Sequence, residues 1–594
     1  MRVRKFPWVV LSVITLLFLA GCIYEGDFAE SPSDGSDISG SSDSVVKEEL
    51  SSIDDLHLRD KKLLYENQDP ADVVTMYLTV STGNAAENTD HTWEEINSYS
   101  VYDYVYMGVD RYQVAGLIQV GDENGPVAGQ LGYGQSAPNC TVQIRGQTSS
   151  SLPQKNYKIS VKDNKGEWNG QTTIALNKHQ TDGLRFRNKM AYDLIAGIDE
   201  MLGLRTTFVH LYVKDTTEGG SGEFEDYGLY TQVEQLNKTA LKAHGLDKNG
   251  HLYKINFFEF FRYEDIIMMA DDPDYDLEAF EEILEIKGDD DHSKLIEMLE
   301  AVNDYSRTAE EVLEEYFDIE NMAYWMAFHI LVGNRDTQSR NVYIYSPLNS
   351  NKWYFYSWDN DTMLKRGEYA LNNRSEGLDW EDGVSNYWGN ALFQRALKTE
   401  IFREALTAAV EDLKSYLSPD RINAMVEEYS AIVKPYLYRM PDVQYAPLTE
   451  TQYDAIGAAL SDEIQTNYES YYESYHKPMP FYIGVPQVED GQMVYTWDAA
   501  YDFDAETITY TFELATDYTF ADPLIHEEGL LIPDVKGDTL PAGQYFIRVT
   551  AENTSGYEQC AFDYYVIESG KVYGTKCFYV LEDGTIVEDV YVES

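Results

Sequence analysis

With 594 residues the chain holds material for several domains, since single cores rarely grow beyond about 250 to 300 residues. Its 102 Asp and Glu against 45 Lys and Arg give a formal charge of −57. That charge repels nucleic acid and anionic lipid surfaces, so no nucleic-acid partner is expected. Acidity does not imply disorder, because 13% of the residues are aromatic, 48 of them Tyr, the material of packed cores and sticky pockets.

The chain opens on Arg2, Arg4 and Lys5, followed by an almost wholly apolar run from Phe6 to Ala20 that closes with Gly21-Cys22. A positive end stays cytoplasmic while the short apolar stretch enters the export machinery. The run is too short for an ordinary spanning helix of about 20 residues. The sequence Leu19-Ala20-Gly21-Cys22 resembles the bacterial lipobox. The resemblance implies a signal peptide over residues 1–21, acylation of the Cys22 thiol, and a lipid-anchored protein on the extracytoplasmic face of the cell membrane. A soluble secreted protein, in which Cys22 merely follows a cleavage site, is the alternative. From Glu25 to about Glu49 the chain is Asp, Ser, Gly and Glu with little to bury, so residues 22–49 read as a disordered acidic tether.

Residues 50 to 65 have the spacing of a short helix, with Ile53, Leu56, Leu63 and Leu64 as its apolar positions. Alternation and β-branched or aromatic residues predict strands at Val73 to Val80, Tyr102 to Val109, Ala115 to Val120, Thr141 to Arg145 and Tyr157 to Val161. These make a sheet-rich first lobe, with residues 50–134 as its N-terminal part. Helical spacing follows over Leu184 to Met201, then strands at Val209 to Val213 and Gly228 to Glu234. Helices are expected over Asp276 to Ile286, Lys294 to Asn303, Ala309 to Glu315 and, more apolar, Ile319 to Val332. Strands Asn341 to Tyr345 and Trp353 to Trp358 come next, then helices at Phe393 to Leu397, Ile401 to Tyr416 and Arg421 to Tyr436. Past Lys477-Pro478-Met479-Pro480 only short strands and turns remain, which predicts an all-β sandwich, fibronectin- or immunoglobulin-like, over residues 474–594. Apart from Cys22 there are Cys140, Cys560 and Cys577; the last two are either bridged or two buried thiols. No His/Cys cluster with zinc spacing is present.

Two stretches can carry chemistry. An apolar helix delivers the chain into Gly333-Asn334-Arg335-Asp336-Thr337-Gln338-Ser339-Arg340-Asn341, which turns directly into a strand. Asp336 and Asn341 lie at the ends of that loop, where one can offer a carboxylate to a substrate and the other an amide to a metal. Then the strand Tyr354 to Trp358 runs into Asp359-Asn360-Asp361. Carboxylates at i and i+2 past a strand end suit a hard cation such as Mg²⁺. Each motif alone is weak, since an isolated Asp or Asn in such a loop is most often a cap.

Taken together the motifs resemble the CotH kinase family, named for a spore-coat protein. They are Arg145-Gly146-Gln147-Thr148-Ser149, Gln154-Lys155-Asn156-Tyr157-Lys158-Ile159, Tyr227-Gly228-Leu229-Tyr230 leading to Glu234, Leu252-Tyr253-Lys254, Asn334-Arg335-Asp336 with Asn341, and Trp358-Asp359-Asn360-Asp361. The resemblance implies an α+β fold with an atypical protein-kinase-like core over about residues 135–473. It also implies ATP with Mg²⁺ or Mn²⁺ as cofactors and phosphorylation of Ser or Thr in partner proteins. Carried onto these positions, Asp336 accepts the proton of the acceptor hydroxyl, and Asn341, Asp359 and Asp361 hold metal. Lys155 and Lys158 both match the phosphate-side Lys; three apart on one strand they would face opposite ways, and Lys158 beside Ile159 and Val161 is preferred. Glu234 is then the carboxylate that pairs with that Lys or contacts nucleotide. Lys254 is a further cofactor-side candidate. Arg145 faces phosphate or anchors the turn at Gly146. The family pattern is incomplete in one respect: Gly129, Gly132 and Gly134 do not form the Gly-rich loop of conventional kinases.

The expected function is a surface-anchored Ser/Thr kinase acting on a neutral or basic coat, wall or other extracytoplasmic protein. The competing reading is a non-catalytic surface adhesion or coat-assembly protein on a kinase-like scaffold. Glycoside hydrolysis by paired carboxylates is poorly motivated in so acidic a chain.

Overall fold

The structure, a computed structural model, describes residues 57–66, 68–371, 379–567 and 570–589. The lipobox with Cys22, the tether and the first half of the helix expected over 50–65 fall outside these residues. No helix among the described residues is long and apolar enough to cross a membrane.

The first lobe is built from β1 (Val73–Ser81), β2 (Val114–Asp122), β3 (Gly125–Pro126), β4 (Cys140–Arg145), β5 (Asn156–Val161), β6 (Thr173–Asn177), β7 (Thr206–Asp215) and β8 (Phe224–Glu234). The order is β1-β7-β8-β6-β5-β4-β2-β3, and β1 pairs with β2 as well as β7, so the sheet closes into a barrel with β3 as a short hairpin arm. Closure removes the edges that an open sheet would expose. Alternation sorts the faces: Ile144, Tyr157, Ile159, Ile174 and Leu176 fill the interior, while Arg145, Lys158 and Asn177 are spaced to lie on the outer face. The barrel runs through residue 134, drawing β1 and β2 from one side and β4 to β8 from the other.

A second sheet combines β9 (His251–Ile255), β10 (Leu284–Ile286), β11 (Val342–Ser346) and β12 (Tyr354–Ser357) in the order β10-β9-β11-β12. Against it packs the apolar helix Ile319–Leu331, buried along most of its length and backed by Glu400–Tyr416. A 25-residue helix, Glu450–Ser474, follows where no element was expected. Two C-terminal sheets, one holding Gln492–Thr496 and the other Ile508–Ala515, Gly543–Asn553 and Thr575–Val580, share one core through Met493, Tyr495, Phe512, Ile547 and Phe578. The C-terminal region is thus β-rich, as the strand pattern predicts.

Several local expectations fail for identifiable reasons. The stretch Tyr102 to Val109 is helical, not extended. Ser100 caps Val101–Met107 reciprocally with Asp103, and Gly108 ends it in the left-handed conformation, so cap chemistry overrides the β-prone composition. The helix expected over Asp276 to Ile286 stops at Ile283, because Leu284–Ile286 pairs with β9. Of the two readings open for Cys560 and Cys577, the unbridged one holds. Their strands both pair with the same side of Gly543–Asn553, Cys560 opposite Thr550 and Cys577 opposite Phe546, four residues apart along it.

Candidate functional site

Because β11 and β12 are antiparallel, the start of one meets the end of the other, and Trp358 N donates to Asn341 O at 3.1 Å. Asn341 (φ 58°) and Asp359 (φ 53°) both adopt the left-handed conformation, which Asn and Asp tolerate better than most residues. Both therefore turn the chain out of the sheet at one place. Buried amides stitch the two loops together. Asn334 Nδ2 donates to Asn360 Oδ1 (3.2 Å), its Oδ1 accepts from Thr362 Oγ1 (2.8 Å), and Asn360 N donates to Asn188 Oδ1 (3.0 Å).

Asp359 is exposed at its surface yet surrounded by protein, as a residue in the floor of a cleft is. Burial, followed by the charge of Asp361, pushes its carboxyl up to about 6. For Asp361 burial acts the same way, but His179 outweighs it and holds that carboxyl low; His179 Nδ1 lies 3.4 Å from Asp361 Oδ2. The His179 ring is itself fixed by Asn188 Nδ2 at 3.1 Å from Nε2. Two adjacent carboxylates, one pushed up and one held down, form a hard-oxygen donor pair whose repulsion a divalent cation relieves.

Facing this pair is a basic wall. Arg145 donates to Asn177 Oδ1 and stacks over Trp358, its guanidinium 5.8 Å from the ring centroid. Lys254, directly across from Glu285 in one ladder and Tyr343 in the other, donates to Glu285 Oε1 at 2.7 Å. Lys287 holds the other Glu285 oxygen at 2.5 Å. Burial raises the Glu285 carboxyl, but the two Lys outweigh it and bring it to about 2. Lys158 and Arg111 share this field; burial, then Lys287, Arg145 and Arg111, lower the Lys158 ammonium.

A family model described as CotH kinase protein matches residues 142–471. The chain belongs to this family. No curated protein matches it. Among solved structures, the HipA–HipB toxin–antitoxin complex with operator DNA from Shewanella oneidensis MR-1 is similar over 59% of this chain and 68% of that chain. The identity is 11% and the TM-score 0.22, which carries no argument about fold.

The CotH motifs are not all spent on one cleft. Arg145, Lys158, Lys254, Asp359 and Asp361 converge, with Asn341 just ahead of β11, where its O accepts from Trp358 N. Asp336 lies in the short turn Arg335–Thr337, its Oδ1 accepting from Arg340 Nη2 at 2.7 Å. Lys155 turns the other way from Lys158 and donates to Ser150 O at 2.5 Å, which pins the Thr148–Ser151 turn. Glu234 pairs with neither Lys. It is buried between Arg205 and His244, and His244 Nδ1 in turn meets Asp60 Oδ1 at 2.6 Å. The carboxylate that the basic wall does use is Glu285, which no motif marks. His329 is core, with Nε2 against Ser357 Oγ at 2.9 Å and its imidazole pushed down by burial to about 3. Two other CotH motif residues, Gly228 and Gln154, meet Asp442. Gly228 (φ +74°) lets Asp442 approach, where it takes Lys178 Nζ at 2.6 Å and Gln154 Nε2 at 2.7 Å.

The donor set fits Mg²⁺. Asp359 and Asp361 would supply oxygens, and the Asn341 side chain makes no hydrogen bond among the described residues that would withhold its own.

Proposed function

We propose that this CotH-family chain is a metal-dependent phosphotransferase that uses ATP to modify Ser or Thr in a protein outside the cytoplasm, where it is tethered by acylated Cys22. The observation that carries the reading is the convergence of a carboxylate pair and a basic wall on one cleft between the barrel and the second sheet. Asp359 and Asp361, with Asn341, would hold Mg²⁺ or Mn²⁺. The metal would supply charge neutralisation for phosphate oxygens, the main requirement of phosphoryl transfer. Lys158, Lys254 and Arg145 bind and orient the phosphate side. Asp336, its carboxylate fixed through Oδ1 by Arg340, accepts the acceptor hydroxyl proton. A net charge of −57 favours a neutral or basic acceptor.

The test is incubation of the protein with γ-labelled ATP and Mg²⁺ or Mn²⁺, using a basic Ser-rich acceptor. Transfer by the wild type that is lost in both Asp336→Ala and Asp359→Ala supports the reading. Transfer unchanged in Asp359→Ala refutes it, and absence of nucleotide binding leaves a non-catalytic surface scaffold.

A further inference from the structure

The charges of the cleft do not balance within the protein. Glu285 is fully engaged by Lys254 and Lys287, and Arg145 donates to a neutral amide. The side chains of Arg111 and Lys158 are half-buried, and among the described residues neither makes a hydrogen bond or ion pair. Each lies in the field of Arg145 and Glu285, and Lys158 also in that of Lys287 and of Arg111 itself. Burial lowers the proton affinity of both groups, and for Lys158 the neighbouring cations add to it.

Such an arrangement is unfavourable. Acids outnumber bases by 102 to 45, and several buried cations elsewhere face carboxylates: Arg187 meets Asp182 and Glu368, Arg205 meets Glu234, and Lys178 meets Asp442. Half-buried like charges that outnumber the carboxylates beside them are relieved when a further anion joins them. The cations also come from three separate places. Arg111 precedes β2, Arg145 and Lys158 lie on β4 and β5, and Lys254 and Lys287 lie on β9 and just past β10. An anion reaching all three is extended and multiply charged.

We propose that Arg111 and Lys158, together with Arg145 and Lys287, clamp the polyphosphate chain of a nucleoside triphosphate, with Arg111 contributed from outside the family-matched segment 142–471. The proposal deepens the transferase reading and rests on it for the identity of the anion, though not for its charge.

The test is calorimetric titration of the full chain with inorganic tripolyphosphate, ATP and adenosine, for wild type, Arg111→Gln, Lys158→Gln and the control Lys434→Gln, whose ammonium pairs with Asp454 on a distant helix. Wild type is expected to bind tripolyphosphate and ATP but not adenosine. Arg111→Gln and Lys158→Gln each weaken both anions roughly tenfold or more, the scale of a lost charge-assisted hydrogen bond. The control is unchanged. Both cleft variants also melt higher than wild type without ligand, because a repulsion has been removed, so misfolding is distinguishable from lost binding. Equal anion binding by wild type and both cleft variants overturns the clamp even if phosphoryl transfer is observed. Weakened tripolyphosphate binding without any transfer upholds the clamp and refutes the transferase. Failure of the wild type to bind either anion overturns both.

Discussion

Asp359 lies two positions from Asp361, where burial and the Asp361 charge disfavour its ionisation. Without metal that arrangement destabilises the fold, so Asp359→Asn is expected to raise the melting temperature of metal-free protein at pH 7 by a few degrees in calorimetry, while abolishing Mg²⁺-dependent nucleotide binding. Glu234 is the opposite case. Its removal strands Arg205 and His244 in the interior, so Glu234→Ala costs roughly 3 kcal/mol in denaturant unfolding. The same network sets a pH window. Burial disfavours the His244 imidazolium, but Asp60 and Glu234 outweigh it and raise it from 6.5 to about 9. That stabilisation is complete below about pH 6.5 and lost as pH rises through 9. Glu234 is brought from 4.5 to about 2, so its share is complete above about pH 4.5 and lost as pH falls toward 2. The stability difference between wild type and His244→Gln therefore narrows between pH 7 and 9. Asp336, Asn341, Asp359 and Asp361 were legible in sequence because each lies in a contiguous loop beside a strand end. Glu285, Lys287 and Arg111 were not, since strand register and barrel closure, rather than any local motif, bring them to the cleft.

At the level of elements, caps and turns decide where composition misleads. Ser100 and Asp103 make a helix of a β-prone stretch, and Val101 N donates to Ser150 Oγ at 2.9 Å, tying that helix to the Thr148–Ser151 turn. Ser100→Ala is expected to cost about 1 kcal/mol in thermal unfolding and to speed amide exchange in the helix and turn together. Gly228 is less forgiving: a Cβ there would lie 2.2 Å from Asp442 Oδ2, on a backbone at φ +74°. Gly228→Ala should therefore break the Lys178 pair and lower stability by well over 1 kcal/mol. The strands of the barrel were largely visible through alternation. Helix Glu450–Ser474 was not, because only some of its turns face the core and its sequence carries many exposed polar residues.

Over the whole molecule, alternation suggested a sheet-rich lobe but could not show that β1 and β2 close it into a barrel, since closure depends on pairing between distant strands. The C-terminal sheets and loops pack against the family-matched segment. Trp380 packs on Phe562 and Tyr573, Trp388 packs on Tyr501 and Phe503, and between these Trp residues Tyr387 meets Thr337 of the Asp336 turn at 3.0 Å. A chain ending at residue 477 is therefore expected to melt lower and to lose activity along with its C-terminal sheets, read by calorimetry and the transfer assay. The most direct test of the account is calorimetric titration of the full chain with ATP in the presence and absence of Mg²⁺. Saturable, Mg²⁺-dependent binding by the wild type that disappears in Asp359→Ala is the predicted result; no binding by the wild type, or equal binding by both proteins, would contradict it.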